Sequence, residues 1–224
     1  MPKHLSVYLV EVDMYKRYIK RLLDIILSLI AIVILSPVYL VIAVVVRIQM
    51  GSPVLFSQDR IGRGEKIFKL YKFRSMTNEK DEKGNLLPDK QRLTKFGIAL
   101  RSTSLDELPE LFMILKGDMS FVGPRPQPSF YLPYYKEEER EAHKVRGGLI
   151  PPDSLCKKAQ CDWETQFEYE VYYANNVSFV LDLKIIWHTF GILIQRIKHN
   201  YGADDRPMLH IYRADMVSEK LAKD

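Results

Sequence analysis

Two adjacent carboxylates, Asp106 and Glu107, lie in the stretch LRSTSLDELPEL (100–111) and are the first residues able to do chemistry. Such a pair can hold a divalent cation, and one carboxylate oxygen can act as a nucleophile on phosphorus. The same residues also fit a plain helix start. Ser104-x-x-Glu107 matches a capping box, and Asp106 would favour the positive end of the helix. Pro109 sits too deep in the first turns for an ideal cap and points to an opened helix start. Further along, Pro124 and Pro126 hold Arg125 in a restricted backbone, which suits bidentate contact with phosphate or simply makes a rigid turn. Lys72 and Arg74 alternate along a strand pattern, either an anion-binding pair or a solvated face. There is no GxxxxGK[ST] loop and no His-Glu zinc motif.

The elements that must position these groups begin with an apolar run, Leu22 to Val46, whose single charge is Asp24. It exceeds the roughly 20 residues that a straight helix needs to cross a bilayer core, and no small-x-small cleavage site follows it. Ser36-Pro37 interrupts the run just past its middle, where proline removes a helical N–H. Lys16, Arg17, Lys20 and Arg21 precede the run, and Arg47, Arg60, Arg63 and Lys66 follow it. Positive charge on both flanks draws both to the cytoplasmic side. A helix that enters, bends at Ser36-Pro37 and leaves by the same face meets both constraints; an ordinary kinked transmembrane helix is the alternative.

Beyond Met50 the composition is that of a folded basic domain, with 27% charged residues and a net charge of +5, suited to an anionic partner without choosing one. Val54–Phe56 and Lys66–Phe73 read as strands around a turn at Ile61–Gly64, Asn78–Gln91 as a loop, and Leu105–Leu115 as a helix ended by Gly117. Glu137–Lys144 reads as a solvated helix. A long helix from Leu181 to Lys198 mixes Trp187 and Phe190 with Lys184, His188 and Arg196, and lies either on a membrane surface or against the core. The expected class is α/β, mainly helical with a few short strands. Its parts are an anchor over 1–50, a catalytic domain over 51–200 and a tail over 201–224. Cys156 and Cys161 are too few for a disulfide framework or a zinc site, so reduced cytosolic thiols are expected.

KFRSM, LRSTSLDELPEL, LKGDMSFVGPRP and FEYEVYYANNVSFVLDLKII, in that order, closely resemble the bacterial sugar transferase family, and within it the monotopic polyprenyl-phosphate phosphoglycosyl transferases. The resemblance implies a re-entrant helix-break-helix at Ser36-Pro37 on the cytoplasmic face of the bacterial inner membrane. It implies a catalytic dyad of Asp106 and Glu107 with Mg2+, and phosphate binding by Arg101, Arg125 and Lys72. The implied reaction moves a sugar phosphate from a UDP-sugar to polyprenyl phosphate through a phosphosugar on Asp106, releasing UMP. One departure stands out. Relatives carry a PGITG-type loop where this chain has Arg146-Gly-Gly-Leu-Ile-Pro151-Pro152, so donor preference is expected to differ. A membrane-bound scaffold without turnover is the competing class. A nucleic-acid binder gives the apolar segment no role, and its positive charge would not be spread along the chain.

Overall fold

In the computed structural model, which describes residues 14–156, 161–198 and 206–215, one π-helical turn at Tyr15–Ile19 leads into helix α1, Lys20–Met50. Pro37 lies inside α1 and cannot donate to the Val33 carbonyl four residues back. The Ser36 hydroxyl donates to that same carbonyl at 2.8 Å, so a side chain replaces the bond that proline removes. The interruption expected at Ser36-Pro37 is thus one substituted bond within a continuous helix. By length and composition α1 can cross a membrane. Leu22, Val33, Ile34, Leu40 and Val41 leave it with an exposed apolar stripe, the mark of a surface covered by another apolar phase or partner.

Both halves of α1 are tied to the rest of the chain. Near its start, the Arg21 guanidinium donates to the Ile114 and Leu115 carbonyls at 2.6 and 2.8 Å. Asp24 is buried but partnered, accepting from the Ser120 hydroxyl at 3.1 Å and the Phe121 N–H at 3.0 Å. Beyond Pro37, the Tyr39 hydroxyl donates to the Leu108 carbonyl, and Ile42 and Val46 pack with Phe73 and Leu100.

The next elements set out the site. Strands β1 (Leu55–Ile61) and β2 (Ile67–Phe73) form an antiparallel hairpin from Leu55↔Phe73 to Ile61↔Ile67. Helix α2 (Lys95–Ser102) is capped by Thr94, whose hydroxyl accepts from the Gly97 N–H at 2.9 Å. The helix expected over Leu105–Leu115 is split into a 3-10 turn at Leu105–Glu107 and helix α3, Glu110–Lys116, with Pro109 at its N-cap. Gly117 ends α3 at φ +104, and its N–H meets the Met113 and Ile114 carbonyls.

A parallel pair, β3 (Met119–Val122) and β4 (Gly147–Ile150), follows in register Met119↔Gly147 and Val122↔Ile150. The sequence reading did not anticipate it. Glu138–Lys144, expected as a solvated helix, is a 3-10 segment with Glu139 and Ala142 buried. Helices α4 (Trp163–Asn175) and α5 (Phe179–Lys198) complete the framework, with a last turn α6 at Leu209–Tyr212. Asp182 on α5 is buried and anchors the start of α1, taking the Tyr15 hydroxyl and the Lys20 ammonium, each at 2.6 Å. Of the two alternatives for α5, packing against the core is seen at Ile185, which is buried, while Trp187 and Phe190 are exposed. The cysteines expected as free thiols are instead paired, Cys156 with Cys161, their Cα atoms brought to 6.5 Å.

The Gly-Pro-Arg-Pro turn leaves β3 so close to β4 that a Cβ on Gly148 would lie 2.1 Å from the Gly123 nitrogen. Gly148→Ala must therefore push the two backbones apart. We expect a cost of about 1–3 kcal/mol, seen as a lower melting temperature. An unchanged melting temperature would show that the strands are not held this tightly.

Candidate active site

The dyad stands on a strained turn. Ser104 has a left-handed backbone at φ 55, makes no side-chain cap, and only its carbonyl accepts from the Glu107 N–H at 3.2 Å. The capping-box alternative therefore fails, and the opened helix start suggested by Pro109 is what forms. A left-handed serine is uncommon, and such strain gathers at functional sites.

The turn places the two carboxylates in different surroundings. Asp106 is buried, and its carboxyl is pushed up to about 6 by burial, with the neighbouring Glu107 charge adding to the effect while Lys72 and Arg101 oppose it. Glu107 faces a small pocket lined by Arg60, Lys72, Glu110, Arg125, Gly148 and Leu149. Lys72, on β2, reaches Glu107 Oε1 at 2.6 Å and Glu110 Oε1 at 3.2 Å. Burial draws its ammonium down, but the two glutamates outweigh it and hold it above the usual lysine range.

Of the residues expected from the sequence, the pocket gathers Lys72, Glu107 and Arg125. Asp106, next to Glu107 in the chain, and Arg101, whose charge acts on Asp106, are not among its lining residues. Arg101, at the end of α2, donates through Nε to the Ser75 hydroxyl at 2.9 Å. Arg74 is corrected: it is buried and donates to the Pro53 carbonyl at 2.9 Å, so it makes no anion-binding pair with Lys72. β2 ends at Phe73, before the alternation can carry Arg74 to the same face.

Sequence reasoning missed two residues. Arg60 closes the end of β1, donating to the Pro126 carbonyl at 2.9 Å, while its Nε is buried without a hydrogen bond among the described residues. Burial, with Arg125 nearby, draws its guanidinium below the usual range. Glu110 is buried at the start of α3, and burial pushes its carboxyl up to about 7 against the pull of Lys72. Pairing of β1 with β2 and of β3 with β4 brings these groups together; their spacing in the chain gives no warning. The stretch over residues 146–152 is also here, since Gly148 and Leu149 line the pocket.

Asp106 and Glu107 offer hard carboxylate oxygens whose mutual repulsion a divalent cation would relieve. Among the described residues no group of three or more His, Cys, Asp or Glu side chains is disposed to hold a metal. Mg2+ binds through one or two carboxylates and takes its other ligands from water and phosphate, so a carboxylate pair is the least it would need here.

The family model for bacterial sugar transferase matches residues 15–196 of the chain. The chain is 47% identical over 168 residues to the uncharacterised sugar transferase EpsL of Bacillus subtilis, covering 75% of this chain and 83% of that protein. It is 34% identical over 194 residues to a UDP-N-acetylgalactosamine-undecaprenyl-phosphate N-acetylgalactosaminephosphotransferase of Aeromonas hydrophila. It is 40% identical over 185 residues to the UDP-glucose:undecaprenyl-phosphate glucose-1-phosphate transferase of Klebsiella pneumoniae. These last two alignments cover 83% and 76% of this chain but only 45% and 39% of the relatives' own lengths.

Behind the pocket, Glu170 on α4 is fully buried, and its carboxyl is pushed up to about 8 by burial and by Asp153, against hydrogen bonds from Gln166 and the Arg125 N–H. In the unfolded chain this carboxyl ionises near about 4.3. The folded protein keeps a proton that the unfolded chain gives up, so this contribution to stability is full below the lower value and is lost as pH rises through about 8. The melting temperature should fall between about pH 5 and about pH 8, less steeply in Glu170→Gln. Equal slopes in the two proteins would refute the assignment.

Proposed function

Because the chain belongs to the bacterial sugar transferase family, we propose that it is a phosphoglycosyl transferase that moves a sugar 1-phosphate from a UDP-sugar to undecaprenyl phosphate. The observation that carries this reading is the pocket itself. Lys72, Arg60 and Arg125 converge on Glu107 and Glu110 beside the buried Asp106, an array of cations suited to phosphate oxygens. The activities for which the Aeromonas hydrophila and Klebsiella pneumoniae relatives are named point the same way.

In the proposed reaction a carboxylate oxygen of Asp106 attacks the sugar-linked phosphorus of the donor. The bond from that phosphorus to the bridging oxygen breaks, and UMP leaves with the electron pair. The phosphosugar stays on Asp106 as an acyl phosphate. An oxygen of the lipid phosphate then attacks the same phosphorus, restoring the carboxylate and forming polyprenyl-diphospho-sugar. A carboxyl raised to about 6 is ionised at neutral pH yet more basic than an ordinary aspartate, as a nucleophile requires. Lys72, Arg60 and Arg125 neutralise the phosphate oxygens and orient them. Bound Mg2+, held by Asp106 and Glu107, would supply further neutralisation of phosphate charge.

The same reading makes α1 re-entrant, with both ends on the cytoplasmic face. Its support is that contacts on both sides of Pro37 reach one body: Arg21 to the end of α3, and Tyr39 to Leu108 just before it. The exposed apolar stripe of α1 and the exposed Trp187 and Phe190 of α5 suit lipid, which would hold the site at headgroup depth and raise the effective concentration of the lipid phosphate.

Asp106→Asn should lower nucleotide release by about 10³-fold or more, with UMP as the nucleotide product of the native enzyme. Mass spectrometry of enzyme given donor alone should find a phosphosugar on the peptide containing Asp106. Release of UDP would instead indicate a conventional glycosyltransferase. Reporters fused at the two ends of α1 should label on the same side, and labelling on opposite sides would rule out the re-entrant arrangement.

A further inference from the structure

Residues 206–215 lie beyond the family match, which ends at residue 196, yet they are built into the core. Leu209 is fully buried against Ile61, Tyr131, Trp163 and Phe167. Arg213 is buried and grips both oxygens of Glu139, Nη1 to Oε2 at 2.6 Å and Nη2 to Oε1 at 2.7 Å. The Trp163 indole N–H donates to the Pro207 carbonyl at 2.9 Å, and the Arg206 guanidinium lies 3.9 Å over the Trp163 ring.

From this seat Arg206 begins a line of hydrogen bonds toward the pocket. Its Nη1 donates to Gln166 Oε1 at 2.8 Å and to the Cys161 carbonyl at 3.1 Å. Arginine can only donate, so it orients the buried Gln166 amide with its oxygen toward the tail and its NH2 toward Glu170. Gln166 Nε2 donates to Glu170 Oε1 at 2.8 Å, and that same oxygen accepts the Arg125 backbone N–H at 3.2 Å. Pro124 and Pro126 carry no N–H, so the Arg125 amide is the one backbone donor that the Pro-Arg-Pro turn offers.

We propose that residues 206–215 form a C-terminal latch in which Arg206, acting through Gln166 and Glu170, positions Arg125 in the active site. Arg206 is a positioning residue, remote from the reacting atoms. The task given to Arg125 rests on the function proposed above, but the hydrogen-bond relay does not.

Arg206→Met keeps an apolar stem on Trp163 and removes the donor to Gln166. Hydrogen exchange on the full chain in detergent should then show the Arg125 amide exchanging roughly tenfold faster. The Gly123 amide, bonded to the Ile150 carbonyl at 3.2 Å, should keep its rate. In the transfer assay the donor KM should rise about fivefold with kcat nearly unchanged, and Arg206→Met should add nothing in a Gln166→Ala background. An unchanged Arg125 amide would overturn the latch. So would equal acceleration of the Arg125 and Gly123 amides, which reports general loosening, or KM effects that multiply in the double variant. A native chain that releases no UMP from any UDP-sugar would defeat the proposed function instead, leaving the exchange rates to decide the latch.

Discussion

Lys72 lies 2.6 Å from Glu107 and 3.2 Å from the buried Glu110, and the arrangement around it depends on keeping those half-buried charges together. A buried charge is costly when alone, and removing one partner of a buried pair costs more than the pair contributes. The pocket therefore needs its cations as much as its carboxylates. Arg60 and Arg125 arrive from other elements, and burial keeps Glu110 and Asp106 more basic than ordinary carboxylates. Such a balance responds readily to an incoming anion or cation. On the proposed function, donor phosphate and Mg2+ each enter a site where opposite charge is already oriented.

The framework meets this need by joining segments distant in sequence. β2 carries Lys72 against the turn that holds Glu107, while the β3–β4 pair fixes the Pro-Arg-Pro turn opposite. Helix α1 supports α3 from behind: Arg21 takes the carbonyls at its end, and Tyr39 the Leu108 carbonyl before its start. The long apolar helix thus serves as a wall of the framework around the pocket. Asp24 shows the same economy, since the single charge of the apolar segment is spent on the Ser120 hydroxyl and the Phe121 N–H.

The far side of α4 has a comparable division of labour. Gln166 and Glu170 face the Arg125 turn, while Trp163 and Glu164 receive the C-terminal segment through Pro207 and Arg213. The tail completes a cluster of aromatic rings around Leu209 that the remaining elements would leave open. Its pattern of isolated apolar and basic residues carries no periodicity by which the docking could be foreseen.

Local patterns in the sequence determined a good deal by themselves. The apolar run specified α1, although its proline does not interrupt the helix, the alternation over Lys66–Phe73 specified β2, and Gly117 specified the end of α3, because each follows from short-range sterics or periodicity. Asp106, Glu107, Lys72 and Arg125 were legible as candidates through their residue types and motifs. Arg60 and Glu110 were not, since a strand-end arginine and a first-turn glutamate look like ordinary surface residues until pairing buries them. Arg74 failed for the converse reason: alternation predicted its face, but the strand ended and the Pro53 carbonyl claimed it. Likewise β3 and β4 are only four residues each, and a parallel pairing across more than twenty residues leaves no local trace. Spacing along a chain sets which groups can do chemistry, whereas which of them share a desolvated space depends on long-range packing, and only the tertiary structure decided that.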